Sequence, residues 1–457
     1  MRRFLMLPVD AVTGVVASFS PKRLPEHLQV NYARELLSWC FLPFMLGAME
    51  GGALGVVVNK GFAGAQGIDQ GTLDIAVAAV TAAPNVANLC SFLWAAWANG
   101  RRKVPFIARL QVATALGVAA IAFVPVTAIG LWMVVTLTFL SRCCWTGVIT
   151  IRTSVWRHNF PRANRAQVAG KMATVQAAIL ALAGLAIGQS MDMDGRSYHV
   201  LFPALAALGL VGNAIYRRVH LLNEESIVRE ERKAKDHERP SVNPAALVRV
   251  LRDDPDYRLF MIGMFIFGMG NLMITPPQIL FIEEAFHASY VESILATTII
   301  PLAVMPLAIP LWARYMARVH AAQFRAVHGW SFVAATAMML ASALTSSLAG
   351  FYVASVLLGI GFGGGVLAWN LGHQDFAPKH RDSEYMAVHV TNNGLRALIA
   401  PFLIVFIYQS LDNSLGISGA AWSFAACFAV NVAGMAVFLF LARRMRRAEQ
   451  WRSGPND

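Results

Sequence analysis

The sequence predicts an all-α polytopic membrane protein with twelve transmembrane helices in two six-helix bundles. Three observations lead there. First, 56% of the 457 residues are hydrophobic and only 14% are charged, well away from the soluble globular average. Second, the apolar residues come in blocks of roughly 20, the length that crosses ~30 Å of hydrocarbon. Third, with the N-terminus placed in the cytoplasm, 34 of the 38 Lys and Arg fall on or beside inside segments. That bias is the positive-inside rule, which a missed or invented span would scramble.

Taken in order, the expected spans are 36–58, 73–98, 106–124, 128–151, 168–190 and 198–216, then 259–281, 290–313, 326–345, 348–371, 385–408 and 418–442. Pro84, Pro301, Pro306 and the glycines from Gly359 to Gly365 do not argue against helix here. Neighbouring helices in lipid re-satisfy the freed backbone groups. The loop between the ninth and tenth spans is very short. Residues 1–35 read as a cytoplasmic tail: Met1-Arg2-Arg3 and an apolar stretch broken by Pro8 and Asp10 make a poor signal peptide. Residues 36–216 form the first bundle, 217–256 a charged cytoplasmic linker, 257–442 the second bundle and 443–457 a cytoplasmic tail.

The net charge of +12 belongs to the segments flanking the spans, where it meets anionic lipid. Nucleic acid is therefore not an expected partner. All five cysteines lie inside expected spans, which excludes a structural disulfide in an outside loop. No metal-ligand spacing and no phosphate-binding loop occurs, so neither a metal, a cofactor nor an ATP-driven engine is expected, and the chain does not read as an enzyme. Trp39, Trp94, Trp97, Trp312 and Trp422, near span ends, read as an interfacial aromatic belt.

One long linker halving twelve spans suggests a repeated bundle. Leu93-Trp94-Ala95-Ala96-Trp97 and Leu311-Trp312-Ala313-Arg314-Tyr315, at equivalent places in the two halves, echo each other. Gly100-Arg101-Arg102-Lys103 sits between spans 2 and 3, Arg142 and Gly147 in span 4, and Gly184 and Gly188 in span 5. On these features residues 36–442 resemble the major facilitator superfamily. Where that family carries Gly and Asp ahead of the basic loop, this chain has Leu93 and Trp97; where its antiporters carry Gly-Pro in span 5, Gln189 follows Gly188. The resemblance implies alternating access between two bundles, a central cavity lined by spans 1 and 4, and a gate loop at Gly100, Arg101, Arg102 and Lys103.

Ionisable groups at mid-membrane cost ~2.5–3.5 kcal/mol each on insertion scales and so mark function. Three qualify by position: Glu50, Arg142 and Arg396. Glu50, among Gly47, Gly51, Gly52 and Gly55, is a candidate proton carrier, with a fixed ion pair to Arg142 as the alternative. Arg142 keeps its charge at any cell pH and serves either to hold Glu50 or to grip an anion. His389, Asn393 and Arg396 are spaced four and three residues apart, so they share one face of span 11. No acidic residue of the second-half spans lies at the depth of Arg396, which invites an anionic ligand; bonding to backbone carbonyls is the alternative. Asn85, Asn88, Asn271, Gln278 and Asn370 are neutral groups at cavity-compatible places that interhelical hydrogen bonds mostly explain, and Asn271 and Asn370 are second-tier ligands.

These residues point to a secondary transporter of a small, polar, anionic solute, coupled to protons, working as a monomer among lipids of a bacterial inner membrane. Its rivals are a multidrug or lipophile exporter, which nineteen Met would suit, and a non-transporting sensor or assembly factor on the same fold.

Overall fold

The computed structural model describes residues 18–233, 244–378 and 382–452. The opening segment with Pro8 and Asp10, and the linker charges Lys235 and Arg239, lie outside the described residues. Twelve helices are long and apolar enough to cross a membrane: Glu26–Gly61, Gln70–Ala98, Lys103–Ile121, Ala128–Asn159, Val168–Met193, Tyr198–Tyr216, Pro255–Phe286, Tyr290–Met316, Ala321–Thr345, Leu348–Leu371, Tyr385–Ser410 and Gly419–Arg446. They are spans 1 to 12.

Every expected span is present, and the ends are what differ. Span 1 begins at Glu26 and span 4 runs on to Asn159. At 1.5 Å per residue, the 32 residues of span 4 make about 48 Å, more than the hydrocarbon needs. Charged residues continue these helices beyond the apolar stretch, where hydropathy cannot follow them. So the stretch from Glu26 to Glu35 is helix, not tail. The linker also holds structure, in helices Glu224–Lys233 and Pro244–Asp253.

Several spans are broken in mid-course. Span 1 stops being helical after Gly47, reaches an extended backbone at Glu50 (φ −69°, ψ 127°) and resumes at Gly51. Span 2 contains Pro84 and tightens to a 3-10 turn at Ala87–Cys90. Span 7 breaks after Leu272 and restarts at Thr275, with Pro276 and Pro277 in its first turn. Proline lacks the N–H that would bond back to the preceding turn, so it suits a helix start. Span 8 carries a π-turn at Leu295–Ile299, a local widening frequent at functional sites.

The halves meet at mid-depth and at the end away from the linker. There Lys60 pairs with Glu283, Asp192 accepts from the N–H groups of Tyr290 at 2.6 Å and Val291 at 3.0 Å, and Gln409 donates to Asp74 at 2.8 Å. Close approach is possible because several glycines face the other half, Gly52 and Gly188 among them. A side chain at Gly52 would overlap the Thr298 hydroxyl in the π-turn, and one at Gly188 would lie 3.0 Å from the Val291 Cα. The bundle is thus shut on the far side.

Candidate functional site

The break in span 1 builds the first half of the site. Leaving the helix at Glu50 deprives the Met49 carbonyl of its partner, and Arg142 of span 4 supplies one: Nε donates to it at 3.0 Å and Nη2 also reaches it. The same Nη2 lies 3.1 Å from Glu50 Oε2. One guanidinium therefore caps a broken helix and neutralises the carboxylate at the break. Arg142 is buried, while the Glu50 side chain is 31% exposed. The carboxylate keeps an open face; the guanidinium does not.

In the second half, His389, Asn393 and Arg396 are all buried and do share a face. Arg396 donates Nε at 3.1 Å and Nη2 at 2.6 Å to Asn393 Oδ1, and Nη1 at 2.6 Å to the Met264 carbonyl in span 7. Asn393 in turn donates to Asn85 Oδ1 of span 2 at 3.2 Å. That bond links the second-half stripe to the first bundle. His389 meets the edge of Trp369, ring centroids 4.5 Å apart, and neither ring nitrogen has a hydrogen-bond partner.

Arg325 was missed. It fell one residue before the expected start of span 9 at 326, where it reads as a loop charge. The helix begins instead at Ala321, and Arg325 is 5% exposed. Its Nη1 lies 3.5 Å from His328 Nδ1, while its Nε is unpartnered. Among the described residues no carboxylate comes within 4.0 Å of Arg325 or Arg396.

The remaining expected residues fare unevenly. Asn271 stands at the break of span 7 with its Oδ1 unpartnered. Asn370 is exposed and donates at 2.8 Å to the Val366 carbonyl of its own helix; nothing ties it to Arg396. Trp39, read as belt, is 1% exposed and stacks on Trp145 with centroids 5.8 Å apart. Trp97, by contrast, is exposed as a belt residue should be. All five cysteines are free.

The loop Gly100–Lys103 is held by the linker. Glu231 accepts from the Gly100 N–H at 2.7 Å and pairs with Lys103 Nζ at 2.5 Å, and Glu224 accepts from the Lys103 N–H at 3.1 Å. Arg232 donates to the Gly100 carbonyl at 2.9 Å, and Gly100 takes a left-handed conformation, φ 69°. Helix Glu224–Lys233 thus brings carboxylates to a loop that has Trp97 where the resemblance places an Asp. Nothing in the spacing of the sequence joins these two segments.

A structure of a D-xylose-proton symporter superposes with a TM-score of 0.67 at 12% identity, covering 90% of this chain and 96% of that one. A POT family transporter in complex with a thioalcohol-conjugated peptide gives 0.66 at 13%, covering 92% and 96%. A nucleoside transporter gives 0.61 at 11%, covering 91% and 98%. At such identities the likeness is one of fold. No curated protein sequence matches. The family model of the Major Facilitator Superfamily matches residues 39–401, most of the chain and both bundles. This chain belongs to the major facilitator superfamily.

Proposed function

We propose that this chain is a secondary active transporter that moves a small anionic solute by alternating access, coupled to protons. The observation that carries the anionic character is the pair Arg396 and Arg325, buried in the second bundle without a carboxylate beside either among the described residues. A desolvated guanidinium is costly unless paired, and a planar carboxylate or phosphate on the solute matches its fork. Asn393 orients Arg396, and its bond to Asn85 gives the site a contact that opening the bundles must break.

Coupling falls to the first bundle. Arg142 stays charged, so in the pair at 3.1 Å only Glu50 can exchange a proton. Protonating it removes the counter-charge of Arg142 and loosens the clamp on the break of span 1. The open face of Glu50 supports this, and so does the fold shared with a xylose-proton symporter. The arrangement suits a monomer in a bacterial inner membrane with both termini in the cytoplasm, its basic inner segments against anionic lipid.

The test is a thermal-shift screen of the detergent-purified protein against organic anions, sugars, amino acids and cationic drugs, with Arg396→Ala alongside at two pH values. A ligand that binds only the folded state raises apparent stability. Stabilisation of the wild type but not the variant by an anion is the expected result. An equal response of both proteins, or a response to drugs alone, would turn the reading toward a lipophile exporter.

A further inference from the structure

Fifteen residues before Glu50, span 1 carries another acid, Glu35, and ten residues after Arg142, span 4 carries another arginine, Arg152. Ten residues of helix is about 15 Å, so this second Glu–Arg combination lies that far toward the linker side. Glu35 is 0% exposed, and no donor meets its carboxyl oxygens in full hydrogen-bond geometry, although the Trp156 indole N–H comes near. Around it, Arg152 Nη1, the indole N–H groups of Trp39 and Trp156, and the Tyr216 hydroxyl are buried and unpartnered as well.

Arg152 does not close on Glu35 as Arg142 closes on Glu50. Its guanidinium lies 3.8 Å from the Trp39 ring and 4.4 Å from the Trp156 ring. Two indole faces attract a cation through their quadrupoles, so the arginine is seated by aromatics and leaves the carboxyl without a salt bridge. A buried carboxylate without a salt bridge is expensive, and taking up a proton removes that cost. The titratable groups facing Glu35 are Arg152 and Tyr216. Lys171 of span 5 stands nearby, 5.3 Å over the Tyr32 ring. Glu26, His27 and Arg34 on the same helix, Lys22 and Arg23 before it, and Arg217, Arg218 and His220 after span 6 make up the outer rim.

We infer that Glu35 is a second proton-binding carboxyl, which with Arg152 forms a relay rung between Glu50 and the linker-side solution. Each rung takes its acid from span 1 and its arginine from span 4. On the inner rung the arginine clamps the acid. On the outer one the arginine is pinned between indoles, so the acid gains and loses its proton without moving its neighbour. This inference builds on the proton-coupled reading of Glu50, but the site stands on its own geometry and its test separates the two.

The experiment is an infrared pH titration of the full chain in proteoliposomes, following the C=O stretch of protonated carboxyls. Wild type, Glu35→Gln, Glu50→Gln and Arg152→Gln are compared, so that exposed carboxyls cancel in the differences. Glu35→Gln should remove one titrating component that Glu50→Gln leaves in place. In Arg152→Gln the same component should move up by about one pH unit or more, because a nearby cation favours the ionised form. A Glu35→Gln titration identical to wild type, or a component indifferent to Arg152→Gln, would overturn the relay. Should Glu35→Gln not fold, the Arg152→Gln shift, measured in the Glu50→Gln background, decides alone. If Glu50→Gln removes nothing while the Glu35 component behaves as expected, the Glu50 reading fails and this one survives.

Discussion

In the first bundle Arg142 has a carboxylate, Glu50, at 3.1 Å; in the second, Arg396 is met only by the amide oxygen of Asn393 and the carbonyl of Met264. Both arginines are buried. The difference is what each leaves unsatisfied. The first site is neutral as it stands, so its chemistry lies in undoing the pair. The second keeps a net positive charge, which an incoming anion can neutralise. On the proposed reading one bundle exchanges a proton and the other holds a solute, and the Asn85–Asn393 bond at 3.2 Å joins them.

This contrast is sharpest in stability. Arg142→Ala leaves Glu50 without a counter-ion and the Met49 carbonyl without a donor, which should cost about 3–4 kcal/mol. Arg396→Met strands no charge, only the Asn393 Oδ1 acceptor, and should cost about 1–2 kcal/mol. Denaturant unfolding in detergent reads both, and equal losses would erase the distinction between the halves. Ligand binding should show the reverse asymmetry. Arg396→Ala removes charged hydrogen bonds to the anion, at about 2 kcal/mol or roughly 30-fold in affinity, once calorimetry has a ligand to titrate.

Further down in size, Gly188→Val tests the closure that both halves share. Its side chain would press on the Val291 backbone, and overpacking of this kind costs about 1–2 kcal/mol. Cysteine labelling from the far side should then report a more open bundle. The smallest effect is expected at the linker, where Glu231→Gln weakens the bonds to Gly100 and Lys103. The loss should be about 0.5–1 kcal/mol and smaller still at high salt, seen as faster amide exchange in residues 100–103. A large loss there would mean that the linker, not the paired site, governs the first bundle.

Glu50, Arg142 and Arg396 were legible because a charge inside a long apolar run stands out against its neighbours. Arg325, Glu35 and Arg152 were not, although they are as deeply buried. Each sits within a residue of an expected span end, where a charge reads as solvated. The same edge effect hid the true nature of Trp39, which is indistinguishable from a belt residue until its partner Arg152 is known. The hold of Glu224 and Glu231 on the loop at Gly100 could not be read at all, since more than a hundred residues separate the partners.

Hydrophobic length and the sidedness of basic residues are properties of the chain read in order, and they determined the twelve spans; the long linker and the motifs around Gly100, Arg142 and Gly184 added the two halves and the resemblance to the superfamily. The helices had to satisfy their own backbone in lipid, so little was left for tertiary contacts to decide about their existence. What only the tertiary structure decided is how each buried charge is satisfied: Arg142 by a carboxylate and a broken helix, Arg396 by amides, Arg152 by indoles. Those partners come from different spans, and their distances depend on how glycines such as Gly52 and Gly188 let the helices approach. Charge placement is written along the sequence; charge pairing is a matter of packing.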